Sequence, residues 1–120
     1  MNPSGCEWVV EALGCDEAAL SDLARLRHLF DSLVAGMALH PVEPAVWHQF
    51  PDPGGITGMC LLAESHLACH TFPEYRSLCL NVFCCRMRDD FDFAACLTSA
   101  VGATEVRVRK LARPYSESCN

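Results

Sequence analysis

No stretch of these 120 residues approaches the roughly 18–20 consecutive apolar residues that a membrane-spanning helix needs. The opening Met1-Asn2-Pro3-Ser4-Gly5 lacks the basic start and apolar core of a secretory leader. Positive charge is also scarce. Nine Lys and Arg against fifteen Asp and Glu leave a net charge of −6, and the cations are scattered rather than gathered on one stripe. No membrane span and no nucleic-acid partner are therefore expected, and the chain reads as a soluble cytoplasmic protein. Internal repeats and linkers are missing too. Residues 1–120 are enough for one domain with a single core and too few for two.

Cysteine, by contrast, is plentiful. The nine are Cys6, Cys15, Cys60, Cys69, Cys79, Cys84, Cys85, Cys96 and Cys119. The number is odd, no leader precedes them, and most sit inside apolar periodic segments. They read as reduced thiols acting mainly as small core residues, not as a disulfide framework. An apolar content of 51% in so short a chain also suggests an extra buried surface such as an oligomer interface.

Cys6 to Leu13 reads as a first strand between Gly5 and Gly14. Asp16 is the expected N-cap of a helix, on which Leu20, Leu23, Ala24, Leu26, Phe30, Leu33 and Val34 recur mostly at three- and four-residue spacing. That helix is expected to run to about Leu39, ahead of Pro41, with Gly36 as its weak point. Short strands are expected at Val46 to Phe50, Ile56 to Ala63, Leu67 to Thr71 and Ser77 to Cys85. Pro51 to Gly55 and Pro73 to Arg76 are the turns between them. Asp89 or Asp90 is expected to cap a second helix bearing Phe91, Phe93, Ala94, Cys96, Leu97 and Val101. Glu105 to Leu111 alternates as a half-exposed strand, and Ala112 to Asn120 reads as a disordered tail. The fold class is α+β, a two-layer sandwich: a mainly antiparallel sheet with two helices packed on one face.

Between Glu64 and Glu74 the chain holds two hydroxyls, two imidazoles, a thiol and two carboxylates, flanked by apolar strand-like runs. Polar groups buried there without partners cost about 1–3 kcal/mol each, so their density points to function. His66, Cys69, His70, Cys84 and Cys85 are suitable zinc ligands by type. On strands, however, Cys69 and His70 face opposite sides, as do Cys84 and Cys85, and no tight finger spacing is present; no metal is expected. A thiolate–imidazole pair of Cys85 or Cys69 with His70 lacks any visible oxyanion-hole motif. Phe50, Phe72 and Phe83 read as core, His40 and His48 as surface or capping groups, and lone acids such as Glu7 as solvated.

Four segments carry a further signal: Ile56-Thr57-Gly58, Leu62-Ala63-Glu64-Ser65-His66-Leu67, His70-Thr71-Phe72-Pro73-Glu74-Tyr75 and Val82-Phe83-Cys84-Cys85. Together they resemble the prokaryotic S-adenosylmethionine decarboxylase proenzymes. Those short chains carry Glu-Ser-His, His-Thr-aromatic-Pro-Glu and Phe-Thr-Cys-Gly segments at this spacing. The likeness spans nearly the whole chain.

The resemblance implies a self-processing enzyme. The chain would cut between Glu64 and Ser65 into a β chain, 1–64, and an α chain, 65–120, with Ser65 becoming a covalently bound pyruvoyl group. That group would form a Schiff base with the substrate amine and act as the electron sink for decarboxylation of S-adenosylmethionine, feeding spermidine synthesis. By the same resemblance His70 accepts protons during processing, Thr57 stands where the family has a processing serine, and Cys85 is the catalytic proton donor. Phe50 and Phe72 match adenine-stacking positions, Glu74 the ribose-binding carboxylate, and Glu11 possible active-site lining. A homodimer of cleaved units with its sites at the interface is implied as well.

This chain departs from the family at several points. Phe72 is usually Trp, Cys84 usually Thr, Arg76 and Arg86 stand where Gly is common, and Asn81 where Asp is common. The loop before Thr57 is one residue longer. A sulfonium substrate gains nothing from added positive charge. The departures keep two alternatives open: a related pyruvoyl decarboxylase of arginine or ornithine, and an uncleaved binding relative.

Overall fold

A computed structural model describes residues 3–117. Six antiparallel strands form one sheet: β1 (Ser4–Leu13), β2 (Val46–Gln49), β3 (Ile56–Leu62), β4 (Ser65–Phe72), β5 (Ser77–Cys84) and β6 (Glu105–Pro114). Their order across the sheet is β2-β3-β4-β5-β1-β6, so β1 lies between β5 and β6. Three helices, α1 (Glu17–Leu20), α2 (Leu23–Gly36) and α3 (Phe93–Val101), form the second layer. The α+β sandwich expected from the sequence is the observed fold.

Alternation builds the two faces. Cys6, Trp8, Val10 and Ala12 of β1 are buried, as are Leu78, Leu80, Val82 and Cys84, which pair with them on β5. They meet Leu20, Leu26, Leu29, Leu33, Phe93 and Leu97 of the helices. Trp8 and Phe93 pack ring to ring at 5.9 Å. Each such large side chain is worth about 1.5–3 kcal/mol when removed from water. Gly58 makes room for Trp47, whose ring would lie 2.3 Å from a Cβ added there.

The helical layer departs from expectation in number. Asp16 does cap a helix, its side chain accepting from Ala18 N–H, but that helix stops at Leu20. Asp22 then starts a second one by accepting from the N–H groups of Ala24 and Arg25. The aspartate that competes with the helix interior is the reason one expected helix is two. The second ends at Gly36, before Pro41, and Ala38 turns the chain at φ 52°. Asp92, rather than Asp89 or Asp90, caps α3 by accepting from Ala95 N–H.

At the other end, β6 continues through Pro114, so Ala112 to Pro114 is strand and not tail. Its pairing with β1 extends to Ser4–Pro114. Cys119 and the last of the expected tail lie outside the described residues. Of the described cysteines, Cys6, Cys15, Cys60, Cys69 and Cys84 are buried in the core, Cys96 is intermediate, and Cys79 and Cys85 are exposed. Among the described residues, no helix is long and apolar enough to cross a membrane.

Candidate active site

The tight link from β3 to β4 is the turn Ala63–Glu64, closed by the pairing of Leu62 with Ser65. Ser65 adopts φ 152°, a backbone conformation that L-residues rarely occupy and that costs on the order of 1–3 kcal/mol. Its hydroxyl lies 3.1 Å from His66 Nδ1. The carbonyl oxygen of Glu64, the residue before it, accepts a hydrogen bond of 2.8 Å from the backbone N–H of Cys85. A cleft of about 280 Å³ opens beside this turn, lined by Ala63, Glu64, Cys84, Cys85, Arg86 and Arg88.

Both cysteines at the end of β5 face this region differently. Cys84 is fully buried on the helix side. Burial, opposed by Arg88 and reinforced by Cys6, Glu64 and Cys85, pushes its thiol up to about 11. It is a packing residue, as read from sequence. Cys85 is exposed at the cleft.

The second half of the expected site occupies the open face of the sheet, the face without helices. Thr57 Oγ1 lies 2.6 Å from His70 Nδ1 across the β3–β4 pair. Phe50 and Phe72 flank His70 edge-on, at ring distances of 5.8 and 4.5 Å. His48, read from sequence as a surface group, packs edge-on against Phe50 at 4.5 Å. Glu74 is exposed in the short 3-10 turn Pro73–Tyr75. Glu11, Cys79, His70, Thr57 and His48 fall in one row across five strands. Glu11 is held there by Arg109 at 2.6 Å. A groove of about 520 Å³ runs over this face, with Val9, Met59, Ala68 and Asn81 among its walls.

These two halves do not meet within one chain. His70 stands five residues beyond Ser65 on β4, which places them roughly 16 Å apart along the strand. Thr57, His70, Phe50 and Phe72 come together; Ser65, Glu64 and Cys85 come together; the sets lie at opposite ends of the sheet.

Other expectations need correcting. Cys69 cannot serve a Cys–His pair with His70: it points to the core, and burial, only partly offset by a hydrogen bond from Gly58 N–H, pushes its thiol up to about 12. Thr71 belongs to the framework; it is fully buried, donates to Leu20 C=O at 2.8 Å and accepts from Ile56 N–H at 2.9 Å. Glu7 is not a solvated acid: its carboxylate pairs with Arg113 and accepts from Asn81 Nδ2 at 3.3 Å. Arg76 takes the left-handed φ of 52°, the conformation for which glycine is the easier residue. Among the described residues, no group of three His, Cys, Asp or Glu side chains is arranged to hold a metal ion.

Comparison with known proteins agrees with the motifs. Residues 6–114 match the family model described as S-adenosylmethionine decarboxylase. The chain is 34% identical over 116 residues to the S-adenosylmethionine decarboxylase proenzyme 2 of Halalkalibacterium halodurans, covering 94% of this chain and 88% of that protein. It is 33% identical over 90 residues to the proenzyme of Pyrococcus furiosus, covering 75% of this chain but only 63% of that one. Against the proenzyme of Prochlorococcus marinus the figures are 40% over 81 residues, 68% and 63%. Among solved structures, the adenosylmethionine decarboxylase of Aquifex aeolicus superposes with a TM-score of 0.78 at 22% identity, covering 100% of this chain and 98% of that one. At that identity the likeness concerns the fold.

Proposed function

This chain belongs to the S-adenosylmethionine decarboxylase family, and from that premise we propose that it is a cytoplasmic proenzyme that cuts itself between Glu64 and Ser65 and then decarboxylates S-adenosylmethionine for polyamine synthesis. One observation carries the reading: the Glu64 carbonyl, held by Cys85 N–H, precedes a serine forced into a strained bend. Residues 1–120 act as one domain, divided by processing into 1–64 and 65–120.

In the first step the Ser65 hydroxyl adds to the Glu64 carbonyl carbon. The Cys85 N–H steadies the negative charge that develops on the oxygen, the task of an oxyanion hole. The Glu64–Ser65 C–N bond breaks, the serine nitrogen takes up the proton, and an ester remains. Elimination from that ester frees the Glu64 carboxylate, and water releases ammonia, leaving the pyruvoyl group at residue 65. Bound there, the group supplies an electron sink for loss of carbon dioxide. Cys85, exposed at the cleft next to the Ala63–Glu64 turn, would deliver a proton to the product carbon.

The His70–Thr57 pair moves protons during processing, and Phe50, Phe72 and Glu74 hold the adenosine portion. Because these residues lie far from Ser65 in their own chain, a second copy supplies them. Two open sheet faces packed head to tail would bring one chain's His70 and Thr57 to the other's Ser65. Val46, Met59 and Leu61, 73, 59 and 56% exposed, give this face the apolar surface such a homodimer buries. The eight free thiols among the described residues suit a reducing compartment.

Intact-mass measurement of the purified, denatured protein tests the reading. Two chains split at Glu64–Ser65, the second beginning in a pyruvoyl group, are expected, with carbon dioxide released from S-adenosylmethionine in preference to arginine or ornithine. A single chain that survives long incubation at neutral pH defeats the mechanism and leaves a binding protein.

A further inference from the structure

His40 is 24 residues from Glu64 in sequence, yet it grips that residue by two different atoms. Its backbone N–H donates to Glu64 Oε1 at 2.9 Å, and its Nδ1 lies 2.5 Å from Glu64 Oε2. Its carbonyl also accepts from Ala63 N–H at 2.8 Å. Around this clamp, Pro41 bridges to Leu62 and Val42 N–H donates to Leu61 C=O at 2.9 Å. The connection after α2 is thereby laid along the turn that holds the scissile bond. Glu64 is fixed at its carboxylate by His40 and at its carbonyl by Cys85.

Two physical effects follow. An ionised carboxylate on the same residue as the attacked carbonyl opposes the negative charge that grows on that oxygen, and pairing it with an imidazole offsets the opposition. A carboxylate tied to one side also stops the peptide plane from rotating, which keeps the carbonyl carbon before the Ser65 hydroxyl. Glu64's carboxyl responds to its surroundings in the matching direction. Burial pushes it up, but the His40 side-chain and backbone hydrogen bonds outweigh burial and hold it below its ordinary value.

We propose that His40 is a positioning residue for self-cleavage, acting through the Glu64 carboxylate to set the scissile carbonyl against Ser65. The proposal rests on the self-processing reading above. His40 is suited to a clean test, because its side chain is 72% exposed and its removal empties no core.

The experiment follows chain splitting by mass spectrometry in freshly expressed protein for five species: the wild type, His40→Ala, His40→Asn, Glu64→Ala and the His40→Ala, Glu64→Ala double variant. His40→Ala keeps the backbone N–H contact, so a slowing of about tenfold is expected rather than complete loss. His40→Asn, whose amide nitrogen can stand in for Nδ1, should return the rate to within about threefold of wild type. In the Glu64→Ala background, His40→Ala should add no further slowing. A wild-type rate in His40→Ala, failure of His40→Asn to rescue, or equal slowing in both backgrounds would overturn the proposal. An uncut wild type would instead remove the self-processing reading itself, which separates the two failures.

Discussion

The N–H of Cys85 and the carbonyl oxygen of Glu64 lie 2.8 Å apart, joining the end of β5 to the turn between β3 and β4. In the proposed mechanism the backbone of Cys85 serves chain cutting, while its thiol is left for catalysis.

That division of labour is separable. Cys85→Ala keeps the N–H and should still split at Glu64–Ser65, yet lose at least about 100-fold in kcat with little change in KM. Gel analysis of splitting beside a carbon dioxide release assay checks both halves. Uncut Cys85→Ala would mean that the thiol itself takes part in processing.

The separation of His70 from Ser65 within one chain makes a prediction about mixed dimers. Ser65→Ala and His70→Ala chains, expressed alone, should each remain intact. Co-expressed, the His70→Ala chain should be cut, because its Ser65 then meets the partner's His70. Mass spectrometry distinguishes the two chains. No cutting in the mixture would place His70 on its own chain's Ser65.

Thr71 tests how much of the central motif is framework. Thr71→Val keeps the shape but leaves Ile56 N–H and Leu20 C=O without their partner. A loss of about 2–3 kcal/mol is expected, seen as a fall in Tm of roughly 5–15 °C. Measuring it on Ser65→Ala chains keeps every molecule uncut. An unchanged Tm would show that the threonine serves chemistry instead.

Alkaline stability follows from Cys69. Its folded value of about 12 lies above the ordinary 9.0, so between these limits the unfolded chain releases a proton that the folded one keeps. Stability is then whole below about pH 9 and falls as pH rises toward 12, by about 1.4 kcal/mol per unit for this group. Urea melts of wild type and Cys69→Ala from pH 8 to 11 check the sign: the variant should lose less. A parallel slope would place the effect elsewhere.

The sheet was legible in the chain because its strands alternate cleanly: Cys6, Trp8, Val10 and Ala12 inward, Glu7, Val9 and Glu11 outward. The split between α1 and α2 was less so, since Leu20 and Leu23 keep helical spacing straight across the break that Asp22 makes. In the candidate site, Ser65, His70, Thr57 and Cys85 stand in the segments whose resemblance to the family points to them. His40 does not, because only the fold brings it to Glu64 across 24 residues. Arg109 on Glu11 is likewise 98 residues away and has no local signature. Thr71 misleads for the opposite reason: it sits inside the motif and serves the core.

The sheet order β2-β3-β4-β5-β1-β6 has one more consequence. A cut between β3 and β4 gives one fragment β1, β2 and β3 and the other β4, β5 and β6. Yet β1 of the first lies between β5 and β6 of the second. The halves are interleaved like fingers, so neither can leave without a strand being drawn from the middle of the sheet. The proposed processing would thus turn folding from an event within one molecule into a meeting of two. A cut molecule that unfolds must find its complement again, at a rate set by dilution, with its original covalent link already gone.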